Sequence, residues 1–409
     1  MTGAPRIRAR FLCALTAGAI AVALAATPAV ALTSPPALSS TAAIVTDANS
    51  GAVLFSQHGS SRRSIGSTTK LMTAYLVLRH AKQSDVFTAP AYSAGPAEVL
   101  IGLHKGERMT VHDLLRALLL PSANDAAWDL GYNVGGGSVS RFVRMMNREA
   151  RKLHLTHTHY ANPIGLDDPE NYSTAGDLAK LAAIDMRIPA FAKIVRLTHA
   201  TLKSGSRTRE VINRNDLVVH YHYVDGVKTG HTQQAGYVLV GAAHRGGASV
   251  ISVVIGDPSV AKRDSDSIAL LRWGLRQYHR VAVFKGAAAS ATIHQHGGHT
   301  RIVPARSPVL TLRRDMPVRL RLRAPAELKG PLPARRVVGR AEALVGGKVV
   351  ASVPLVTAAP VPGPSFVRRF ESVLKDVLIS LAVLFALVVC TLVALRVRVL
   401  RQQRARSAR

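Results

Sequence analysis

The stretch GSTTKLMTA, residues 66–74, places a serine and a lysine three positions apart, at Ser67 and Lys70. On a helix, side chains with this spacing share a face, so the lysine amine reaches the serine hydroxyl. A serine hydroxyl is a poor nucleophile until a base removes its proton, and desolvation against Leu71 and Met72 would lower the pKa of the lysine enough for it to act as that base. The spacing is therefore compatible with nucleophilic catalysis at Ser67.

The same spacing occurs twice more, so it does not identify the nucleophile by itself. Ser259 and Lys262 form one further pair, and Ser372 and Lys375 form another. A solvated helix face is the ordinary interpretation of any single pair. The nucleophile must therefore be recognised from the motifs around it.

Two further motifs carry chemistry-bearing side chains. Ser122-Ala123-Asn124 follows a predicted helix ended by Pro121, where a serine or asparagine commonly caps the next helix. Lys228-Thr229-Gly230 precedes a predicted hairpin, and a cation and a hydroxyl beside a residue without a side chain suit a strand edge that receives a substrate carboxylate. Lys203-Ser204-Gly205 repeats this pattern in a polar turn. Helix capping is thus the structural alternative to a functional role for residues 122–124, and turn formation is the structural alternative for a Lys-Ser/Thr-Gly motif.

The order of the three motifs, at 67, 122 and 228, is that of the S-x-x-K, S-D-N and K-T-G signature of penicillin-binding proteins and class A β-lactamases. Over residues 42–278 the chain resembles the serine D-alanyl-D-alanine carboxypeptidases, the low-molecular-mass penicillin-binding proteins. Residues 339–356 resemble, less specifically, the small β domain that follows the catalytic domain in this family. Besides residues 66–74, the resemblance rests on GERMTV (106–111), SANDAA (122–127), NPIGLD (162–167), YSTA (172–175), VDGVKTGHT (224–232) and AGY (235–237).

The resemblance implies a role for each motif residue. Ser67 would attack the carbonyl between the two terminal D-alanines of a peptidoglycan stem peptide, Lys70 would be its base, and Ser122 would relay a proton to the departing D-alanine. Backbone N–H groups of Ser67 and His231 would form the oxyanion hole. Penicillins would trap the same serine, and the site would use no metal and no cofactor. The implied substrate-binding residues are Asn124 for the amide, Lys228 and Thr229 for the terminal carboxylate, and Gly230 and His231 beside them.

Two departures from the family pattern bear on the activity. Ala123 stands where glycine is common, and no Glu-x-x-Leu-Asn segment follows the second motif. The second departure argues against an efficient β-lactamase, and Glu170 is interpreted as a loop acid. A D,D-endopeptidase of the same family and a non-catalytic wall-binding or scaffold protein are the alternative functions.

The predicted fold class is α+β, with a penicillin-binding, β-lactamase-like catalytic domain over residues 38–282. Strand patterns at 43–46 and 52–56 predict one hairpin, and those at 236–242 and 248–255 predict a second. Apolar periodicity predicts helices at 68–80, 111–120, 125–132, 139–153 and 267–278. Short Val/Leu/Arg-rich segments over 287–358 predict a small all-β domain, followed by a Pro-rich linker at 359–373.

The two ends of the chain predict its compartment. Residues 1–31 have the basic, apolar and small-residue order of a secretory signal peptide. Residues 374–396 are long and apolar enough to cross a bilayer, and the acid-free basic tail at 397–409 places that end in the cytoplasm. We therefore expect a single-pass membrane protein whose catalytic domain is extracytoplasmic. Both cysteines, Cys13 and Cys390, lie in these apolar ends, so the body has neither a disulfide nor a thiolate metal site.

The net charge of +29 indicates an anionic partner. Between Arg301 and Lys348 there are 12 Lys and Arg residues and three acids, a difference of +9. The signal peptide excludes nucleic acid, which leaves anionic wall polymer or lipid headgroups as partners of the β domain. A generally arginine-rich composition without a specific ligand is the alternative. The clustered histidines lack carboxylates at ligand spacing and are expected on polar loops.

Overall fold

The computed structural model describes residues 32–295, 298–363 and 366–407. These residues divide into two compact units. One contains residues 32–281 together with Leu310–Met316, and the other contains residues 282–309 and 317–407. The predicted signal peptide at 1–31 lies outside the described residues.

The described strands lie between Ala42 and Thr357 and are two to ten residues long. They are β1 (Ala42–Asp47), β2 (Val53–Gln57), β3 (Arg63–Ser64), β4 (Val86–Thr88), β5 (Arg108–Thr110), β6 (Tyr172–Ser173), β7 (His199–Leu202), β8 (Arg209–Ile212), β9 (Val224–Thr232), β10 (Gly236–Arg245), β11 (Ala248–Asp257), β12 (Tyr278–Ala282), β13 (Ala291–Gln295), β14 (Gly298–Pro304), β15 (Val309–Arg313), β16 (Val318–Arg323), β17 (Glu327–Leu328), β18 (Val337–Val345) and β19 (Lys348–Thr357).

Five of the described helices begin where the sequence supplies a capping side chain or a proline. Thr110, Ser138, Thr174 and Ser259 each accept a backbone N–H from the first turn of a helix. The helices are α1 (Lys70–His80), α2 (Val111–Leu119), α3 (Asn124–Val134), α4 (Val139–Lys152), α5 (Ala175–Asp185), α6 (Pro189–Val195), α7 (Asp216–His220), α8 (Val260–Arg276) and α9 (Phe366–Ser407), with 3₁₀ turns at Gly66–Thr69 and Ala287–Ala289.

A five-stranded antiparallel sheet, in the order β2-β1-β11-β10-β9, forms the centre of the first unit. Successive residues of β11 point to opposite faces, so Val253 packs into one hydrophobic core and Val254 into the other. The first core contains α1 to α6, and the second contains α8, whose Leu271 and Trp273 cover the sheet. Both predicted hairpins are confirmed, as β1-β2 and β10-β11.

The helix predicted at 267–278 differs at both ends. It begins at Val260 because Ser259 caps it, and it ends at Arg276. Tyr278 instead opens β12 and donates a hydrogen bond from its hydroxyl to Asp47. Helices α5, α6 and α7 were not predicted from the sequence.

The second unit contains a six-stranded sheet in the order β16-β18-β19-β14-β13-β17, which agrees with the predicted all-β texture. Its longest hairpin, β18-β19, turns at Gly346 and Gly347, both of which have positive φ. Helix α9 begins at Phe366, inside the predicted linker, and its segment Val373–Arg398 is long and apolar enough to span a membrane.

Two glycines bring the 3₁₀ turn Gly66–Thr69 close to its neighbours. Gly165 has a φ of +93°, and a Cβ atom built on it would lie 2.0 Å from the Gly66 carbonyl oxygen. A Cβ atom on Gly230 of β9 would lie 2.9 Å from the Ile65 carbonyl oxygen and 3.2 Å from the Ser67 nitrogen. These absent side chains allow β9 and the loop that contains Gly165 to pack against the backbone of Ser67.

We expect Gly165→Ala to lower thermal stability more than Gly51→Ala. Both glycines have positive φ, so both variants pay about 1–2 kcal/mol for placing alanine in the left-handed region. Only Gly165 adds a clash with backbone, because no atom lies within 4 Å of a Cβ built on Gly51. Thermal unfolding of both variants measures the difference, and equal losses would show that the close approach at Gly66 is not required.

Candidate active site

Ser67 lies on the 3₁₀ turn that precedes α1 and opens into a cavity of about 620 Å³. The structure brings residues from all three predicted motifs to this cavity, although they are separated by up to 164 positions in the chain. The predicted residues that line it are Ser67, Ser122, Asn124, Thr229, Gly230 and His231.

Lys70 lies beneath the cavity floor, fully buried at the first position of α1. Its Nζ atom donates to Ser67 Oγ at 2.9 Å, to Asn124 Oδ1 at 2.6 Å and to the Ile164 carbonyl oxygen at 2.7 Å. An ammonium group has three donors and no acceptor, so these three oxygens satisfy it completely.

The environment of Lys70 favours its neutral form. Burial lowers the pKa of Lys70 to about 7, the Glu98 and Asp125 carboxylates act in the opposite direction, and the Arg214 guanidinium adds to the lowering. At neutral pH a large fraction of Lys70 is therefore an uncharged amine with one lone pair. Of its three partners only Ser67 carries an O–H, so the lone pair can accept a proton from Ser67 alone.

The loop that contains Ile164 is fixed by an asparagine. Asn162 Oδ1 accepts the backbone N–H groups of Ile164, Gly165 and Leu166 at 3.2, 2.7 and 3.2 Å. The hydroxyl of Thr73, one turn after Lys70 on α1, donates to the Pro163 carbonyl oxygen at 2.7 Å. These bonds hold the Ile164 carbonyl against Lys70 and explain the NPIGLD stretch.

Ser122 and Asn124 do not cap α3. The cap residue of that helix is Ala123, and it makes no side-chain capping bond. Asn124 instead points its amide at Lys70 and at Glu98, whose Oε2 accepts from Asn124 Nδ2 at 2.7 Å. Ser122 has a φ of +71°, and its buried Oγ has no partner among the described residues. Ser122 lines the cavity, so this hydroxyl lies beside the space that a substrate would occupy.

Lys228 is almost fully buried in β9 and does not line the cavity, unlike its neighbour Thr229. Its Nζ donates to the Thr229 carbonyl oxygen at 2.9 Å. Burial lowers the pKa of Lys228 well below its usual value, and the nearby charges of Lys70, Arg214 and Arg263 lower it further. At the end of the motif, the His231 ring stacks on Tyr237 with centroids 4.1 Å apart.

Two of the three look-alike motifs have structural roles. Ser259 Oγ accepts the backbone N–H of Lys262 at 3.2 Å and caps α8. Ser204 binds the Asp113 carboxylate through both its hydroxyl and its backbone N–H, in the turn between β7 and β8. The side chain of Ser372 lies outside the described residues.

The sequence did not single out four charged residues that line the cavity, Glu98, Arg214, Asp216 and Arg263. Arg263 is buried and pairs with Asp264 at 2.8 Å. It lies one position after the Ser259–Lys262 look-alike, so only the fold distinguishes it. Glu98 lies in the polar loop before β5, where no spacing rule marks a single acid. Glu170 is not among the lining residues; it is exposed and lies 3.7 Å from His159, as expected of a loop acid.

Comparison with known proteins agrees with this geometry. Residues 29–259 match the model of the D-alanyl-D-alanine carboxypeptidase family. D-alanyl-D-alanine carboxypeptidase DacA of Escherichia coli (strain K12) is 31% identical over 352 residues, which cover 81% of this chain and 86% of that protein. The chain belongs to the D-alanyl-D-alanine carboxypeptidase family.

Solved structures of related proteins have the same fold as this carboxypeptidase. The Streptomyces K15 DD-transpeptidase superposes with a TM-score of 0.57 at 35% identity, and the match covers 60% of this chain and 100% of the transpeptidase chain. Penicillin-binding protein 5 from Haemophilus influenzae superposes with a TM-score of 0.58 at 28% identity, and covers 81% of this chain and 100% of that chain. The predicted fold class is confirmed, and the chain is a serine peptidase whose family acts on peptidoglycan stem peptides and binds β-lactams.

Proposed function

We propose that Ser67 is the acyl-accepting nucleophile of this carboxypeptidase and that the neutral amine of Lys70 is its base. The supporting observation is the 2.9 Å hydrogen bond between Lys70 Nζ and Ser67 Oγ, in a site where the other two partners of the amine are acceptors only. As the Ser67 proton passes to Lys70, a bond forms between Oγ and the carbonyl carbon of the penultimate D-alanine.

Collapse of the tetrahedral intermediate breaks the bond to the terminal D-alanine. The departing nitrogen needs a proton, and Ser122, whose hydroxyl has no partner among the described residues, lines the same cavity. We assign the relay from Lys70 to that nitrogen to Ser122. Water then attacks the acyl-enzyme and releases the shortened peptide. Backbone N–H groups of Ser67 and His231 are the proposed donors to the oxyanion, and the loss of one such donor typically costs about 10²–10³ in rate.

The carboxylate of the terminal D-alanine is the proposed ligand of the β9 edge. Thr229 lines the cavity wall, Lys228 is buried next to it on β9 and donates to the Thr229 carbonyl oxygen, and Arg263 supplies a buried cation at the lining. Gly230 has no side chain that would obstruct the peptide. Asn124 contributes its amide to the substrate amide, in addition to its bond with Lys70.

A β-lactam presents a strained amide and a carboxylate in the same relative positions, so it acylates the same serine. The exposed position of Glu170 leaves no carboxylate from that loop to activate a deacylating water in the cavity. The β-lactam acyl-enzyme should therefore persist. The endopeptidase alternative requires the same chemistry on a cross-linked peptide and is distinguished by its product.

The test compares Ser67→Ala with Ser259→Ala in the full-length protein. We expect the wild type to release D-alanine from a D-Ala-D-Ala peptide and to be labelled covalently by a fluorescent penicillin. Ser67→Ala should lose both, because it removes the nucleophile. Ser259→Ala should keep both and lose only about 0.5–2 kcal/mol of stability from the α8 cap.

Each other outcome of that experiment has a definite meaning. Stoichiometric penicillin labelling of Ser67→Ala would contradict the nucleophile assignment. Labelling of the wild type without D-alanine release, but with cleavage of cross-linked dimers, would favour the endopeptidase. An absence of both reactions in a folded wild type would favour the scaffold protein.

We also propose that α9 anchors the catalytic unit to the outer face of the membrane in a single pass. Residues Val373–Arg398 form its apolar segment, with Lys375 and Asp376 near one end and Arg396 and Arg398 at the other. The further arginines of the tail favour the cytoplasm for the second end. Contact of the second unit with anionic polymer or lipid is a secondary proposal. Two of its basic residues, Arg321 and Arg323, already pair with Glu342.

Extraction experiments test the anchor. We expect high salt and alkaline carbonate to leave the full-length chain in the membrane fraction, because salt screens surface charges over about 8–10 Å but does not weaken burial of an apolar helix. Deletion after Val367 should release a soluble protein that still reacts with penicillin. Release of the full-length chain by salt alone would contradict a membrane span.

A further inference from the structure

Glu98 accepts a hydrogen bond from Asn124, which in turn accepts one from Lys70. Neither the motifs nor the proposed reaction assigns Glu98 a role. It lies on a loop that four further hydrogen bonds attach to the start of α3. The Asn124 backbone N–H donates to the Val99 carbonyl oxygen at 2.7 Å. The Asp125 carboxylate accepts the N–H groups of the next stretch, residues 101–103, at 2.8–3.1 Å.

The Glu98 carboxylate is itself held in place. Oε1 accepts the Gly95 backbone N–H at 2.7 Å, and Oε2 accepts both the Tyr92 hydroxyl and Asn124 Nδ2. The Tyr92 ring packs against Trp128 of α3, with centroids 5.5 Å apart. The carboxylate therefore reaches Asn124 from a supported loop rather than from a free surface side chain.

The amide of Asn124 lies between two groups with opposite requirements. An ionised carboxylate only accepts hydrogen bonds, and a lysine ammonium only donates them. Glu98 therefore requires Nδ2 on its side, and Lys70 requires Oδ1 on the other. If the amide were reversed, Nδ2 would donate to the lone pair of the neutral Lys70 amine and compete with the Ser67 proton for it.

We propose that Glu98 is a positioning residue for acylation, which fixes the Asn124 amide so that Oδ1 faces Lys70 and the Lys70 lone pair stays free for Ser67. The inference rests on the proposed role of Lys70 as the base. It also gives the Tyr92–Glu98–Asn124–Lys70 hydrogen-bond chain a single purpose, which is to leave Ser67 as the only proton donor to the amine.

Glu98 has a second effect through its charge. The charged groups that act on Lys70 are Glu98 and Asp125, which raise its pKa, and Arg214, which lowers it; Lys70 and Lys228 also repel each other. Acylation needs the neutral amine, so its rate should rise with pH as Lys70 loses its proton. Removal of the Glu98 charge lowers the pKa of Lys70 and moves that rise to lower pH.

The experiment measures the second-order rate constant for acylation by a fluorescent penicillin as a function of pH. Glu98→Ala should lower the plateau by up to about 100-fold, because a misplacement of about 1 Å can cost about 10²-fold in rate, and shift the midpoint to lower pH. Glu98→Gln should shift the midpoint in the same direction with a smaller plateau loss, since its side-chain oxygen still accepts from Asn124. Glu210→Gln removes an exposed acid outside the cavity lining and should change neither.

A double-mutant cycle with Asn124→Ala separates positioning from a general loss of structure. If Glu98 acts through Asn124, Glu98→Ala should lower the plateau little further in the Asn124→Ala background. Full additivity of the two losses, or an unchanged plateau and midpoint in folded Glu98→Ala and Glu98→Gln, would overturn the proposal. A wild type whose acylation does not rise through about pH 7 would instead overturn the role of Lys70 as the base.

Discussion

The burial of the Lys70 amine against three oxygens is the interaction on which the rest of the site depends. A buried ammonium is costly unless every donor is satisfied, and Lys70 meets this condition with Ser67, Asn124 and Ile164. The same burial lowers its pKa to about 7 and so makes a proton acceptor available at neutral pH. The three hydrogen bonds thus stabilise the charged form of Lys70, and the burial of the same amine lowers its pKa enough for the neutral form to be present at neutral pH.

The fold supplies those three oxygens from distant parts of the chain. Ser67 comes from the 3₁₀ turn before α1, Asn124 from the start of α3, and Ile164 from the loop that Asn162 fixes. Glycines at 165 and 230 allow that loop and β9 to approach the backbone of Ser67 closely. The two hydrophobic cores, one on each face of the sheet, hold these elements in place. The positions of the three oxygens around Lys70 therefore depend on packing outside the site.

Much of this site could be predicted from the sequence because its motifs are local. The Ser67–Lys70 spacing needs only one helical turn, and the hairpins β1-β2 and β10-β11 are marked by apolar runs on either side of a turn. The look-alikes at Ser259 and Ser204 were separable only by order along the chain, and the structure gives them capping and turn roles. Glu98 and Arg263 could not be predicted, because their proximity to the cavity arises from loop and helix packing rather than from any sequence interval. The predicted end of α8 was also wrong. The Tyr278 ring fits the apolar face of a helix, but Tyr278 is the first residue of β12.

Titration of the lysine side chains by NMR, with ¹³C or ¹⁵N labels in lysine, tests the central claim most directly. The assignment would come from loss of the signal in Lys70→Arg, and Lys228→Arg would identify the other buried amine. The account predicts that the Lys70 signal titrates near pH 7, far below the usual value of about 10.4. Titration of Lys70 at that usual value would contradict it, because the amine would then be almost fully protonated at neutral pH and could not accept the Ser67 proton.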